Sequence, residues 1–332
     1  MKVETSVAME PVLFAPIIQS RRWGGDRLAT KLGKQLPAAN DVYGESWEIV
    51  DRHDQQSKIA FGPTAGQTIR ELIQANAEQI YGGAASADKQ FPFLIKFLDC
   101  QQDLSVQVHP NDEQAKVYHP SETGKTECWF VLDAEQGSVV YVGFQPGTTA
   151  DQIRAAVSEN RLAELLKAYP AKKGDGFYIP AGTVHAIGQG LVIAEIQQPS
   201  DLTFRLYDWG CVDQNGQPRQ LHVDDALAVM TLDESFDPRA ARQEDRDAAS
   251  EPLQTIVSPY FQVDIYEFSE GTLQISHEEC LVLMVLEGAG VMQSGEFSRE
   301  VELGQTWLLP ACNGSFVLEA GSGVKVAVVR EP

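Results

Sequence analysis

Three strand-like stretches of this chain carry two histidines and a carboxylate. In LSVQVHPND (104–112), side chains alternate faces, so Leu104, Val106 and Val108 share one side and Ser105, Gln107 and His109 the other. In GKTECWFVL (124–132), the same alternation groups Lys125, Glu127 and Trp129, with Thr126, Cys128 and Phe130 behind them. In GDGFYIPAGTVHAIGQG (174–190), a Gly-rich turn leads into a strand, Pro-Ala-Gly makes a second turn, and His185 follows. Taken singly, these are an amphipathic edge strand, a solvent-facing ion pair and a core histidine. Together, His109, Glu127 and His185 form a two-histidine, one-carboxylate set, with Gln107 as a fourth, oxygen ligand. Such donors suit Zn²⁺, and equally Fe²⁺ or Mn²⁺. With a single carboxylate the centre keeps net positive charge, which polarises a carbonyl or hydroxyl.

A fourth stretch, GLVIAEIQQPSDLTFRLYDWG (190–210), holds Glu195, Asp201, Arg205 and Asp208. A guanidinium beside a metal stabilises an oxyanion as a fixed charge. The plainer reading is a structural ion pair between Arg205 and one of the acids. In FPFLIKFLD (91–99), alternation puts Lys96 with Leu94 and Leu98, as the one charge on an apolar face. Lysine is rarely buried without a partner, so Lys96 points to a ligand; otherwise its head reaches water past an apolar stem.

The elements that must position these residues are mostly short strands. Runs such as ESWEIV, ECWFVL, SVVYVGF, GLVIAEI, FQVDIYEF and CLVLMVL, separated by Gly and Pro, indicate a sandwich or barrel. Helical spacing is found in TIRELIQANAEQIYG (68–82), in TTADQIRAAVSENRLAELLKAYP (148–170), capped by Thr148 or Thr149 and ending at Pro170, and in HVDDALAVM (222–230). These read as inserts in a β framework. The segment 233–252 is charged, poor in large apolar residues, and the best candidate for a linker; a long surface loop is the alternative. Across it, Gly174–Ala181 has a counterpart in Gly304–Ala311, each with Gly, five residues, then Pro-Ala. His185 follows the first copy and Ser315 stands in its place after the second. Two related β units, one able to bind metal and one not, explain the repeat.

Bulk properties exclude several classes. The 332 residues carry a formal charge of -21, which repels nucleic acid and anionic membranes. An anionic substrate would need a local cluster of Lys and Arg, since salt screens the global field beyond about 8–10 Å. No apolar run is long enough to span a bilayer, and the first residues lack the basic head and apolar stretch of a secretory signal. The five cysteines are odd in number, widely spaced and free of CxxC, as expected of reduced thiols in the cytoplasm.

At these stretches the chain closely resembles the type I mannose-6-phosphate isomerases in their shorter bacterial form, within the cupin superfamily. The resembling motifs are RRWGGDRL, GESWEI, FLIKFLDCQQDLSVQVHPND, GKTECWFV, GDGFYIPAGTVHAIGQG and EIQQPSDLTFRLYDW, which cover most of the chain up to the linker. The second cupin motif, Gly-x5-Pro-x-Gly-x2-His, falls on Gly174, Pro180, Gly182 and His185. Gln107 stands where many cupins have histidine, and Glu127 is displaced downstream by an insert; both are features of the isomerase family.

The resemblance implies two jelly-roll units with helical inserts: a catalytic unit over 1–232, the linker, and a degenerate unit over 253–332 without metal ligands. It implies one zinc ion per chain, held by His109, Glu127 and His185 with Gln107 as a further ligand, and Arg205 as a catalytic residue. Lys96 and Ser105 match positions that resemble the phosphate site. Glu195 and Asp201 are the candidates for moving the proton at carbon, and Lys125 adds positive charge near the metal or assists proton transfer to oxygen. The expected partner is a phosphorylated hexose, with no nucleic acid or membrane, in a monomer or homodimer. The expected reaction is aldose–ketose isomerisation between mannose 6-phosphate and fructose 6-phosphate. An iron-dependent cupin oxygenase, a non-catalytic sugar-phosphate binder and an isomerase of another sugar phosphate are the competing readings.

Overall fold

A computed structural model describes residues 9–38, 41–212, 216–247 and 249–332. Two antiparallel sheets enclose the first unit. A six-stranded sheet runs, in spatial order, Gly176–Ile179, Glu127–Ala134, Leu191–Gln197, Leu94–Cys100, Tyr43–Ile49 and Ile17–Gly25. A five-stranded sheet faces it, in the order Phe204–Tyr207, Val106–Val108, His185–Ile187, Val139–Phe144 and Leu166–Pro170. The third sheet, of ten strands, builds the C-terminal unit. The N-terminal strand Val12–Ala15 joins this third sheet, pairing Val12 with Leu308 and Leu13 with Trp307. The two units are therefore tied by backbone at the start of the chain.

Alternation makes the six-stranded sheet a wall with two characters. Its inner face presents Lys96, Glu127, Trp129, Ile193 and Glu195; its outer face presents Ile95, Phe97, Cys128, Phe130, Ala194 and Ile196. The outer face packs on Ile256, Val263, Val282, Met284 and Val329 of the C-terminal unit, in one continuous apolar cluster. Central strands covered on both faces are apolar on one side, and here polar on the other only where the side chains reach a cavity.

The helix Ile69–Tyr81 forms as its spacing predicts, with Thr68 and Glu71 closing a capping box. The second helical reading needs correction. The helix capped by Thr149 covers only Ala150–Ser158; the chain turns at Asn160 (φ 56) and Leu162–Leu165 forms a 3₁₀ turn. Leu166–Pro170 is then a strand, pairing with Val139–Phe144. Its helix-like spacing gave way to pairing with an exposed sheet edge. The sequence reading also missed the helix Asp112–Tyr118, although Asn111 and Gln114 form a capping box at its start. The third reading, HVDDALAVM, becomes the helix Val223–Val229.

The segment 233–252 lies against the edge of the six-stranded sheet at several points. Pro238 carbonyl accepts from Tyr178 N (2.7 Å), and Gly176 carbonyl from Ala240 N (2.8 Å). The repeat is visible as structure. Gly176–Ile179 and Thr306–Leu309 are both strands, with Phe177 and Ile179 facing the first interior as Trp307 and Leu309 face the second. Beyond Pro-Ala the copies diverge: His185 points inward in the first, whereas Phe316, one position past Ser315, points inward in the second.

Candidate metal and substrate site

Backbone bonds stitch together the three stretches that carry the histidines and Glu127. Gly182 N donates to His109 carbonyl (2.8 Å), and Lys125 N to Pro110 carbonyl (3.1 Å). Ala181 N donates to the Thr126 hydroxyl (3.2 Å). The turn before His185 needs Gly182, whose φ is 86; a Cβ there would lie 2.9 Å from the Thr231 hydroxyl. Asp112, at the start of the helix that follows His109, accepts from Gly124 N (2.7 Å), the Gln198 amide (3.1 Å) and the Tyr260 hydroxyl (2.9 Å). One carboxylate thus ties the His109 turn to the Glu127 strand and to the C-terminal unit.

His109, Glu127 and His185 are each buried, with one donor atom apiece lying within 4.8 Å of the others. The Nδ1 of His109 is 2.9 Å from Leu202 carbonyl, and the Nδ1 of His185 is 2.8 Å from Thr183 carbonyl. A carbonyl only accepts, so each Nδ1 carries a proton and each neutral ring aims an Nε2 lone pair into the site. Those atoms lie 3.8 Å and 3.2 Å from the two Glu127 oxygens. Burial lowers both imidazole pKa values, helped by the Lys125 charge; His185 falls to about 4 and His109 falls well below the ordinary range. Both rings are therefore neutral at pH 7.

Glu127 decides whether a cation fits. Lys125 Nζ is 2.7 Å from its Oε2 and 3.2 Å from His109 Nε2, and among the described residues neither Glu127 oxygen has a well-aligned hydrogen bond. A buried carboxylate facing two imidazole lone pairs, with the Lys125 ammonium at its side and no well-aligned hydrogen bond among the described residues, is a donor set that a cation at its centre would satisfy. These residues fit a divalent cation. Gln107 turns its amide nitrogen to His185 Nε2 at 3.3 Å, so it becomes an oxygen ligand only after an amide flip.

The set opens on a polar cavity of about 240 Å³ lined by Lys96, Ser105, Gln107, Lys125, Glu127, Glu195, Asp201 and Arg205. The structure thus brings eight of the ten candidate residues to one space, with His109 and His185 grouped beside Glu127 at its edge. Two rows of side chains face each other across it. On one sheet Trp47, Lys96, Glu195 and Trp129 are register partners on successive strands; on the other, Arg205, Gln107 and His185 are. Lys96 Nζ lies 3.4 Å from Glu195 Oε1 and 5.1 Å from the Trp47 ring centre. Burial raises the Glu195 pKa against the pull of Lys96 and Lys125. Lys125 is held above its ordinary pKa: burial works against its charge, and Glu127 and Glu195 outweigh it. Asp201 sits at the mouth, with its side chain 46 % exposed and 3.9 Å from Lys96. Arg205 donates to Gln220 carbonyl (3.0 Å), and its buried Nε has no hydrogen-bond partner among the described residues.

A family model described as "Phosphomannose isomerase type I, catalytic domain" matches residues 12–140. The mannose-6-phosphate isomerase ManA of Bacillus subtilis is 36% identical over 311 residues, 93% of this chain and 96% of that one. The chain belongs to the type I phosphomannose isomerases. The mannose-6-phosphate isomerase of Streptococcus mutans is 33% identical over 91% of this chain and 92% of its own. The crystal structure of the mannose 6-phosphate isomerase from Bacillus subtilis superposes with a TM-score of 0.84 at 28% identity, covering 97% of this chain and 100% of that one.

As a phosphomannose isomerase family member, the chain also has cavity residues that the sequence reading passed over: Arg21, Trp23, Glu45, Thr203 and Arg219. Glu45 accepts from Trp47 Nε1 (2.6 Å) and Arg21 (3.0 Å); burial pushes its pKa up, and Lys96, Arg21 and Trp47 together bring it below the ordinary value. The alternation that marked Lys96 would have marked Glu45 in GESWEI. Leu104 also departs from expectation. It precedes the strand Val106–Val108 and packs with Trp23, Trp129 and Ile187 beside the cavity, while Val106 and Val108 face the opposite cluster.

Proposed function

We propose that this protein is a metal-dependent aldose–ketose isomerase that interconverts mannose 6-phosphate and fructose 6-phosphate. One observation carries the reading: two imidazole lone pairs and a buried carboxylate converge at the edge of a single polar cavity lined by Lys125, Glu195, Lys96 and Arg205. His109, Glu127 and His185 would hold the ion, with Gln107 as a further ligand after its flip. The donor set, two nitrogens and a carboxylate, suits one zinc ion per chain. A bound divalent cation would supply positive charge to the sugar's carbonyl oxygen and to the oxyanion that develops there.

The chain's own groups do the rest. Isomerisation removes a proton from C2 of the open-chain aldose and delivers one to C1 through an enediolate. Glu195 is the proton carrier at carbon: it is buried, and among the described residues its Oε1 has no hydrogen-bond partner although it faces Lys96 and Lys125. Asp201, at the mouth, is the second candidate. Arg205 places a fixed charge opposite the Glu195 row, where it stabilises the enediolate oxygens. Lys125 stands between the metal set and Glu195 and relays the proton between the oxygens, giving one to O1 and taking one from O2. Lys96 and Ser105 bind the substrate's oxygens. We place the catalytic unit at 1–232 and the second unit at 253–332, acting as a monomer or homodimer in the cytoplasm.

Turnover of mannose 6-phosphate by the purified protein, with and without a chelator and alongside metal analysis, tests the activity. Deuterium exchange from substrate C2 tests the base. Glu195→Gln should lower exchange about 10²- to 10⁴-fold, with Asp201→Asn much milder; full exchange in both variants would refute the assignment.

A further inference from the structure

The two histidines are oriented in different ways. His185 Nδ1 finds its carbonyl two residues back, on its own turn, at Thr183. His109 Nδ1 finds its carbonyl at Leu202, 93 residues along the chain. Leu202 belongs to a strap, residues 198–203, that leaves the strand Leu191–Gln197 of the six-stranded sheet and enters Phe204–Tyr207 of the five-stranded one. The strap crosses between the two walls outside any strand, so no ladder fixes where its carbonyls point. Pro199 offers no N–H to anchor it. Side chains must do so.

One hydroxyl sits at the centre of that anchorage. Ser200 is fully buried, and its Oγ accepts from Leu202 N (3.3 Å) and donates to Glu122 Oε2 (3.2 Å). Arg52 grips Glu122 in turn, with Nη1 3.1 Å from Oε2 and Nη2 3.0 Å from Oε1, a two-pronged pair that fixes the plane of both groups. Arg52 Nη1 also reaches Pro199 carbonyl (3.4 Å), so the guanidinium holds the strap directly as well. The near end of the strap is tied beside Glu127: Gln198 N donates to Thr126 carbonyl (3.1 Å), and Gln198 Oε1 accepts from Thr126 N (2.9 Å). Hydrogen bonds therefore run without a gap from Arg52 through Glu122, Ser200 and Leu202 to His109. Arg52 and Glu122 border a separate polar hollow of about 320 Å³ and not the catalytic cavity, so a substitution there leaves the lining of the cavity unchanged.

We propose that Ser200 and Glu122, braced by Arg52, are positioning residues for the metal: they hold the Leu202 carbonyl on His109 Nδ1 and so keep the Nε2 lone pair aimed at the ion. The inference rests on the metal-dependent reading above and deepens it. An imidazole held at one nitrogen keeps its tautomer and its ring plane; released, it gives up both and binds a metal less tightly. Asp201 lies between Ser200 and Leu202, so the same brace sets the carboxylate at the cavity mouth.

The test compares wild type, Ser200→Ala, Glu122→Ala and Glu122→Gln, all as the full chain. Zinc affinity is read by competition with a chromophoric chelator. We expect Ser200→Ala and Glu122→Ala each to weaken zinc about 10- to 100-fold, the usual size of a lost outer partner, and Glu122→Gln, which keeps an acceptor oxygen, to recover part of it. The double variant Ser200→Ala/Glu122→Ala should be no worse than the weaker single one, because both act along one path. In metal-free protein with nitrogen-15-labelled histidine, the His109 Nδ1–H signal should shift or exchange away in these variants while that of His185 stays in place. Thr68→Ala, a change to a helix cap elsewhere, should leave both readouts as in wild type. Wild-type zinc affinity and an unmoved His109 signal in folded Ser200→Ala and Glu122→Ala would overturn the proposal. So would an equal change at His185, a zinc loss shared by Thr68→Ala, or a wild type that binds no divalent cation. Zinc-loaded wild type that does not turn over mannose 6-phosphate defeats the function alone; the affinities and the imidazole signals then still decide this inference.

Discussion

The two β units share a strand motif and differ in what fills them. Phe177 and Ile179 line the first interior as Trp307 and Leu309 line the second. In the first, the neighbouring inward positions are His185, Glu127, Glu195 and Lys96, held apart around a cavity. In the second, Leu281, Leu283, Val285, Phe316, Leu318 and Val326 close into an apolar core. The strand motif is shared, but one interior is organised by charge and the other by packing. Buried carboxylates are costly and persist where cations offset them, as Lys125 does for Glu127 and Lys96 for Glu195; a filled core has no such requirement.

The sharpest way to break this comparison is to neutralise the first interior. Glu127→Gln should cut kcat by about 10³-fold or more and abolish stoichiometric metal by elemental analysis, with the fold intact by circular dichroism. Removing volume from the second interior should do the reverse. Leu283→Ala should cost about 2–5 kcal/mol in urea unfolding while kcat stays within a few-fold.

Acid should strike the first unit through its histidines. Buried neutral His185 has a folded pKa near 4, below its ordinary value of 6.5, so the unfolded chain binds the proton more readily. Its stabilising contribution to the metal-free protein is whole above pH 6.5 and is lost as the pH falls towards 4, about 3 kcal/mol in all. His109 adds to the loss in the same direction. Denaturant midpoints of metal-free protein at pH 7, 5.5 and 4.5 would show it, and a flat profile would contradict it. The smallest effect concerns the helix at the seam. Thr68→Ala removes the capping box of Ile69–Tyr81 and should cost about 1 kcal/mol by thermal melting, without changing metal content.

Much of the site was legible because strand alternation is a rigid rule. It grouped Lys125, Glu127 and Trp129 correctly, and it singled out Lys96 before any neighbour was known. It failed where its premise failed. Leu104 was assigned to a strand that starts two residues later, at Val106. Leu166–Pro170 fitted a helical pattern but found a sheet edge, a partner that local spacing does not reveal. Arg219 was invisible for a third reason: it lies in a loop and is held by Asp208, eleven residues away. Arg22 and Asp208, separated by 186 residues, meet only in three dimensions. Metal donors carry a type and a spacing that sequence displays, whereas an ion pair between distant residues is made only by folding.

The wall between the units has a further consequence. Phe97, Cys128, Phe130 and Ile196 lie on the far side of the strands that carry Lys96, Glu127 and Glu195. A chain shortened at residue 232 would turn that oily surface out to water, and insolubility would precede any loss of chemistry. The C-terminal unit thus upholsters the back of the wall that carries the candidate site.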